Sequence, residues 1–216
     1  VTSPFELIIF DCDGVLVDSE RLALAINLRL GQELGWPMAE QEITDRFLGR
    51  SATAVHGQLA ERLGAATADR WEELFRERLD AALDTELSEV DGVSETLDAL
   101  LMPSCIASSG THGKMRRTLG VTGLYQRFEG RIFSAAEVAR GKPAPDLFLH
   151  AAARMGVAPE HCAVIEDSQY GVRAARAAGM RSFGFSGGLT PAEWLAGPDT
   201  VIFDDMRKLP QLLAGG

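Results

Sequence analysis

Asp11 and Asp13, in Phe10-Asp11-Cys12-Asp13-Gly14, set two carboxylates two residues apart just past the apolar run Leu7-Ile8-Ile9-Phe10. On an extended backbone such side chains share a face. Gly14 lets the chain turn sharply beyond the run, so the second carboxylate can swing toward a leaving group. Two carboxylates this close repel each other, and an oxyanion substrate adds to the repulsion. A divalent cation resolves the conflict, and hard oxygen ligands suit Mg²⁺. An acidic turn that merely caps a strand end accounts for the same residues, so the pair alone decides nothing.

Three later turns carry similar chemistry. Glu166-Asp167 follows the apolar run Ala163-Val164-Ile165. Asp167 can complete an oxygen-ligand set with Asp11, with Glu166 as a further ligand or as an acceptor behind it. Capping of the following helix by Asp167 or Ser168 is the alternative. Ser108 follows Cys105-Ile106-Ala107. Its hydroxyl and the backbone N–H groups around Ser109 and Gly110 can cradle phosphate oxygens at a helix start; a plain hydroxyl turn or cap serves equally well. Lys142 stands in Gly141-Lys142-Pro143-Ala144-Pro145-Asp146, a stiffened turn ahead of a helix. A lysine fixed there is placed to neutralise an oxyanion, although most lysines are simply solvated.

The elements that must position these turns can be read from the hydrophobic pattern. Apolar runs at 105–107, 132–133, 163–165, 182–185 and 201–203 alternate with stretches of helical spacing. Those stretches run from His112 to Leu119, stopping at Gly120, from Asp146 to Met155, stopping at Gly156, and from Gly171 to Ala178. Repeated strand–helix alternation implies a parallel sheet with helices on both faces. Ligands bind outside the carboxyl ends of such strands, where all four turns fall. The region after the first strand differs. Leu22, Ile26, Leu30 and Leu34 recur every four residues and end at Gly35, with Pro37 beyond. Ile43–Leu48, Ala52–Leu63 and Asp69–Leu87 also read as helices, the last with a stripe of Trp71, Leu74, Phe75, Leu79 and Leu83. No strand signal occurs from Ser19 to Glu89. The predicted fold is therefore α/β, a doubly wound parallel sheet (1–16 and 89–216) with an inserted α-helical cap (17–88).

Composition removes several classes of function. With 216 residues and 46% hydrophobic content, the chain can bury a core or a core plus a small insert. A formal charge of −10 argues against a nucleic-acid partner, which needs excess Lys and Arg on one face. No apolar stretch is long enough to span a bilayer and no basic segment precedes one, so a cytoplasmic protein without a membrane partner is expected, as a monomer or weak homodimer. The three cysteines, Cys12, Cys105 and Cys162, form no close pair and read as buried reduced thiols. Cys12 lies between two carboxylates, which oppose a thiolate nucleophile.

The four turns, in this order, resemble the motifs of the haloacid dehalogenase-like hydrolase superfamily. Asp11-Cys12-Asp13-Gly14-Val15-Leu16-Val17-Asp18-Ser19-Glu20 and Gly141-Lys142-Pro143-Ala144-Pro145-Asp146 carry the likeness, which spans nearly the whole chain. It points to the small-helical-cap subgroup of β-phosphoglucomutases and sugar-phosphate phosphatases. The resemblance implies Asp11 as the nucleophile on phosphorus, forming an aspartyl-phosphate, and Asp13 as general acid then base. It further implies Lys142, Ser108 and Ser109 around the phosphoryl group, and Mg²⁺ held by Asp11, the Asp13 backbone carbonyl and Asp167, with Glu166 alongside. The cap implied by this family closes over the core. Leu48-Gly49-Arg50-Ser51 resembles its specificity loop, making Arg50 a substrate contact, with Arg76 and Arg78 as further candidates; a solvated arginine is the alternative for each. His56 and His112 join no metal-ligand spacing.

Several functions within the resemblance can be weighed on residues. A dehalogenase has no use for the proton-donating Asp13. A phosphonate hydrolase needs a cap lysine, yet the first lysine in the chain is Lys114. A mutase carries a histidine shortly after the first motif, where this chain reads Ser19-Glu20-Arg21-Leu22-Ala23. A non-catalytic phosphosugar binder would not need Asp13 beside Asp11, Lys142 and Asp167. The expected function is a Mg²⁺-dependent phosphatase for a small phosphorylated metabolite, a sugar phosphate or phosphosugar acid. Ser109-Gly110 and Lys114-Met115 look similar to phosphatases of the latter kind.

Overall fold

In the computed structural model, which describes residues 4–215, the chain divides into two compact units. One runs to Asp18 and resumes at Ser88; the other is Ser19–Leu87. No helix among the described residues is long and apolar enough to cross a membrane.

The interrupted unit opens with β1 (Leu7–Phe10). After the second unit it continues through α5 (Val93–Ala99), β2 (Ser104–Ser108), α6 (His112–Val121), α7 (Tyr125–Phe128), β3 (Ile132–Ser134) and α8 (Asp146–Met155) in turn. Then follow β4 (Cys162–Glu166), α9 (Gln169–Ala177), β5 (Arg181–Phe185), α10 (Ala192–Leu195), β6 (Thr200–Phe203) and α11 (Leu209–Ala214). All six strands are parallel, in the order β3-β2-β1-β4-β5-β6. This is a doubly wound α/β fold with helices flanking the sheet. β1 lies at the centre, and its four residues are 0–1% exposed, because a parallel strand covered on both faces has no polar side. Leu7 and Ile9 pack in one cluster with Leu147, Phe148 and Ala151 of α8 and Ala174 and Ala175 of α9. Phe10 faces the other way, its ring 6.2 Å from that of Phe128 in an edge-on contact.

The sheet strands coincide with the apolar runs to within a residue at each end. The helices show one informative departure. Gly120 does not stop α6, which continues to Val121. The stop is Gly123, at φ 76°, where the Leu124 N–H donates to the Leu119 carbonyl. A single glycine inside a helix is tolerated, whereas closing the last turn needs a left-handed residue. The short helices α5, α7, α10 and α11 span four to seven residues, too few for a periodic signal.

The second unit contains α1 (Ser19–Leu34), α2 (Glu40–Phe47), α3 (Ala52–Leu63) and α4 (Ala65–Thr85). Its core gathers Ile26, Leu30, Trp36, Ile43, Phe47, Leu59 and Trp71. The Phe47 ring sits edge-on to both Trp36 and Trp71, at 6.4 and 6.3 Å. Trp71 is 1% exposed, and its indole N–H donates to Asn27 Oδ1 at 3.0 Å. Asn27→Ala strands that buried donor, so urea unfolding should show a loss of about 1–3 kcal/mol. An unchanged midpoint would mean that the bond contributes nothing.

Candidate active site

The chain adds β2 and β3 on one side of β1, then crosses to add β4, β5 and β6 on the other. The crevice of an open α/β sheet lies at such a reversal, outside the carboxyl ends of the two strands. Asp11 is the first residue past β1, and Glu166 is the last of β4. Phe10 pairs in register with Ile106 of β2 and with Ile165 of β4. The next residues on the three strands, Ala107, Asp11 and Glu166, therefore stand level.

Lys142 joins all three. Its Nζ donates to Asp11 Oδ1 at 2.5 Å, to Glu166 Oε1 at 2.6 Å and to the Ala107 carbonyl at 3.0 Å. An ammonium has three protons, and each finds an acceptor here. The side chain is 5% exposed, with Nζ 4.9 Å from the Phe148 ring centroid. All three protons of the Lys142 ammonium are therefore committed within the protein.

The electrostatics are unbalanced. Burial, aided by the Glu166 and Asp13 charges, pushes the Asp11 carboxyl up to about 7 against the pull of Lys142. Burial also opposes charge on Lys142, but Asp11 and Glu166 outweigh it and raise its pKa. Both pKa values rise, which disfavours charge on Asp11 and favours it on Lys142, and the cationic lysine is the firmer of the two because two carboxylates flank it. One ammonium serves two buried carboxylates, so negative charge remains over. Asp167, next in the chain, is 3% exposed, and its Oδ2 is sealed from solvent with no hydrogen bond of its own, although the residue is engaged elsewhere. Among the described residues no three His, Cys, Asp or Glu side chains form a closed cation cage. Mg²⁺ needs none, since it keeps several waters and takes one or two carboxylates plus substrate phosphate. The excess negative charge and the hard oxygens of Asp11 and Asp167 fit that ion.

Both oxygens of Glu166 are engaged within the protein. Oε1 holds Lys142, and Oε2 accepts from the Ser168 N–H at 2.9 Å and from its hydroxyl at 2.8 Å. Of the two roles open to it, ligand or acceptor, this geometry serves the second. The carboxylate fits because residue 171 lacks a side chain: a Cβ there would lie 1.8 Å from the Glu166 carboxyl carbon. Gly171→Ala should cost about 1–3 kcal/mol by overpacking and displace Glu166 from Lys142. Turnover falling together with the urea midpoint would show this; an unaltered enzyme would rule it out.

Ser108, at the end of β2, is 1% exposed, and its Oγ accepts from the Gly110 N–H at 3.2 Å. The hydroxyl thus builds the turn and keeps its own proton to donate. Ser134 holds the same turn from β3, its Oγ donating to the Gly110 carbonyl at 2.7 Å. Ser109 is exposed. Past β1 the chain turns at Gly14, whose N–H donates to the Val17 carbonyl at 2.8 Å, and Asp13 projects with its side chain 25% exposed. Lys114 Nζ donates to Asp13 Oδ2 at 2.8 Å. Burial works against charge on Lys114, while Asp13 outweighs it and raises the pKa. Sequence reasoning assigned Lys114 no role. A signal existed: it sits in the first turn of α6, where the helix dipole disfavours a cation.

Asp11, Lys142, Glu166, Ser108, Asp13 and Asp167 all belong to the interrupted unit, whereas the candidate arginines lie in the helical unit. Arg50 is exposed between α2 and α3, after Gly49 at φ 67°, and Arg76 is exposed on α4. Arg78 is engaged: both of its terminal nitrogens donate to Glu33 on α1, at 2.8 and 2.7 Å, and that pairing raises its pKa. His56 contacts Asp69 and His112 contacts Glu137, each at 2.9 Å. The three cysteines are buried free thiols. Burial pushes Cys105 up to about 12 and Cys162 to about 11, and raises Cys12 well above its usual value.

Comparison with known proteins gives consistent matches. Residues 8–185 fit the family model described as haloacid dehalogenase-like hydrolase. A 6-phosphogluconate phosphatase of Escherichia coli is 30% identical, over 97% of this chain and 95% of that protein. The crystal structure of a conserved haloacid dehalogenase-like protein of unknown function from Agrobacterium tumefaciens is 40% identical, with a TM-score of 0.87 over 98% of each chain. A structure from Deinococcus radiodurans with bound phosphate and sodium is 32% identical, with a TM-score of 0.87 over 99% of this chain and 97% of that one.

Proposed function

This chain belongs to the haloacid dehalogenase-like hydrolase family, and we propose that within it the chain is a Mg²⁺-dependent phosphoric monoester hydrolase acting on a small phosphorylated metabolite. The observation that carries the reading is the Lys142 ammonium tying Asp11, Glu166 and the Ala107 carbonyl together across three strand ends. It holds the Asp11 carboxylate at the carboxyl end of β1.

In the proposed reaction Asp11 attacks phosphorus, and the bond from phosphorus to the leaving oxygen breaks as Asp13 gives that oxygen a proton. Water then attacks the phosphorus of the aspartyl-phosphate. Asp13 takes the water's proton, and inorganic phosphate departs with Asp11 restored. Ser108 donates its hydroxyl proton to a phosphoryl oxygen, the exposed Ser109 offers a further donor, and Lys142 supplies fixed positive charge. When held by Asp11, Asp167 and the Asp13 backbone carbonyl, Mg²⁺ adds charge against the transferring oxygens. Arg50 and Arg76 are exposed cations of the helical unit able to take part in substrate choice; Arg78 already has a partner in Glu33.

The 6-phosphogluconate phosphatase relative supports a sugar phosphate or phosphosugar acid as the substrate class. A screen of phosphorylated metabolites with added Mg²⁺, reading free phosphate, tests the proposal. Release from one or more of these compounds, lost on chelation, is the expected result. Conversion of β-glucose 1-phosphate to glucose 6-phosphate without phosphate release would replace it with a mutase. Silence on every compound would leave a binding protein.

A further inference from the structure

We propose that Lys114 is a specificity-determining residue that receives a second acidic group, carried on the leaving part of the substrate. The inference rests on the phosphatase reading in one respect: Asp13, the proton donor to the leaving oxygen, marks the leaving-group side of the site. Lys114 Nζ stands 2.8 Å from Asp13 Oδ2, so it lies on that side.

The two lysines at the site differ in what they have left to give. Lys142 is 5% exposed, and all three of its protons are committed to protein acceptors. It can neither reach outward nor add a bond. Lys114 is 42% exposed and spends one proton, on Asp13. Two donors therefore remain on an accessible ammonium beside the reacting groups.

The position of Lys114 is also locally unfavourable, which a purely structural lysine would avoid. It occupies the third residue of α6, just after the turn built by Ser108 and Gly110 and capped by Thr111. A cation there opposes the helix dipole, and departures from local preference concentrate at functional sites. The surroundings make such a cation necessary. Asp11, Asp13, Glu166 and Asp167 crowd the strand ends of a chain with formal charge −10. A substrate with a carboxylate besides its phosphate meets repulsion there unless a cation accepts that group. Lys114 can take it with its two remaining protons while keeping Asp13 in place.

The test uses two probes that share a phosphate and a six-carbon chain but differ in an acid group, 6-phosphogluconate and glucose 6-phosphate. Calorimetric binding is measured with Asp11→Asn protein, which cannot turn either probe over, with and without Lys114→Met. The expected result is a preference for the acid that falls roughly tenfold to a hundredfold with Lys114→Met, the range for one charge-assisted hydrogen bond. Lys114→Arg should retain most of it. The same ratio is read from kcat/KM in protein with Asp11 intact, where glucose 6-phosphate loses less than 6-phosphogluconate. Equal losses on both probes would reduce Lys114 to a holder of Asp13 and overturn the proposal, as would a preference that survives Lys114→Met or is absent from the start. Failure of the phosphatase reading looks different: no phosphate release from either probe, with the binding preference and its dependence on Lys114 intact.

Discussion

Asp11→Asn should lower phosphate release by roughly 10⁴-fold or more, the scale on which removing a covalent nucleophile acts, and leave the fold standing. Asparagine keeps the shape of the side chain and can still accept from Lys142, so the three strand ends stay joined. It removes one of two carboxylates that crowd a single ammonium, so the urea midpoint should hold or rise. Loss of activity with an unfolded chain would say nothing about chemistry, which makes the midpoint part of the experiment. The decisive check is mass spectrometry of protein quenched during turnover. A phosphoryl adduct should be found on Asp11 and be absent from Asp11→Asn, while an adduct on any other residue would end the assignment.

Lys142→Met should be the most damaging single change to stability. The side chain is 5% exposed and lies between carboxylates that are themselves buried. Breaking a buried pair by removing one partner typically costs about 3–5 kcal/mol, because the other charge is left uncompensated. Here two are left. Methionine preserves most of the volume, so the loss in urea unfolding reports charge and not a cavity. Adding Glu166→Gln to Lys142→Met removes one orphaned charge and should recover part of the stability, with none of the turnover. A double variant no more stable than the single one would show that the carboxylates find water or other partners once the lysine is gone.

How much of this site could be read before the structure depended on where each residue lay. Asp11, Ser108, Glu166 and Asp167 follow apolar runs of three or four residues, and in a parallel sheet the end of such a run marks the crevice. Lys142 was readable from its stiff Gly-Lys-Pro turn, but its three acceptors were not, since Asp11 lies 131 residues away in sequence. The two roles open to Glu166 were separated by Gly171, whose missing side chain makes room for the carboxylate; no local pattern marks that. Lys114 carries, with Met115, only a local likeness in the sequence and no site role, because a lysine on a helix looks like solvated surface until a strand-end aspartate is found beside it. Arg78 misled for the converse reason: its partner, Glu33, belongs to another helix, and long-range pairs leave no spacing in the sequence. The helix end at Gly123 rather than Gly120 was undecidable from composition, because both residues are glycine and only backbone handedness distinguishes them.

The central place of β1 also bears on how the molecule is made. Its neighbours in the sheet, β2 and β4, begin at Ser104 and Cys162. A ribosome therefore delivers the strand that ends at the nucleophile long before anything exists for it to pair with. The helices of Ser19–Leu87 emerge next, with a core of their own, and can be compact while β1 still waits. Pairing across such separations is slow, because loop closure must be met before the contact rewards it. Until β2 is synthesised the run Leu7–Phe10 is an unpaired apolar strand, and until β4 follows one of its edges stays open, a natural target for chaperones or misassociation. Asp11 and Asp13 put two acidic residues directly after that segment, where charge opposes the association of one apolar run with another.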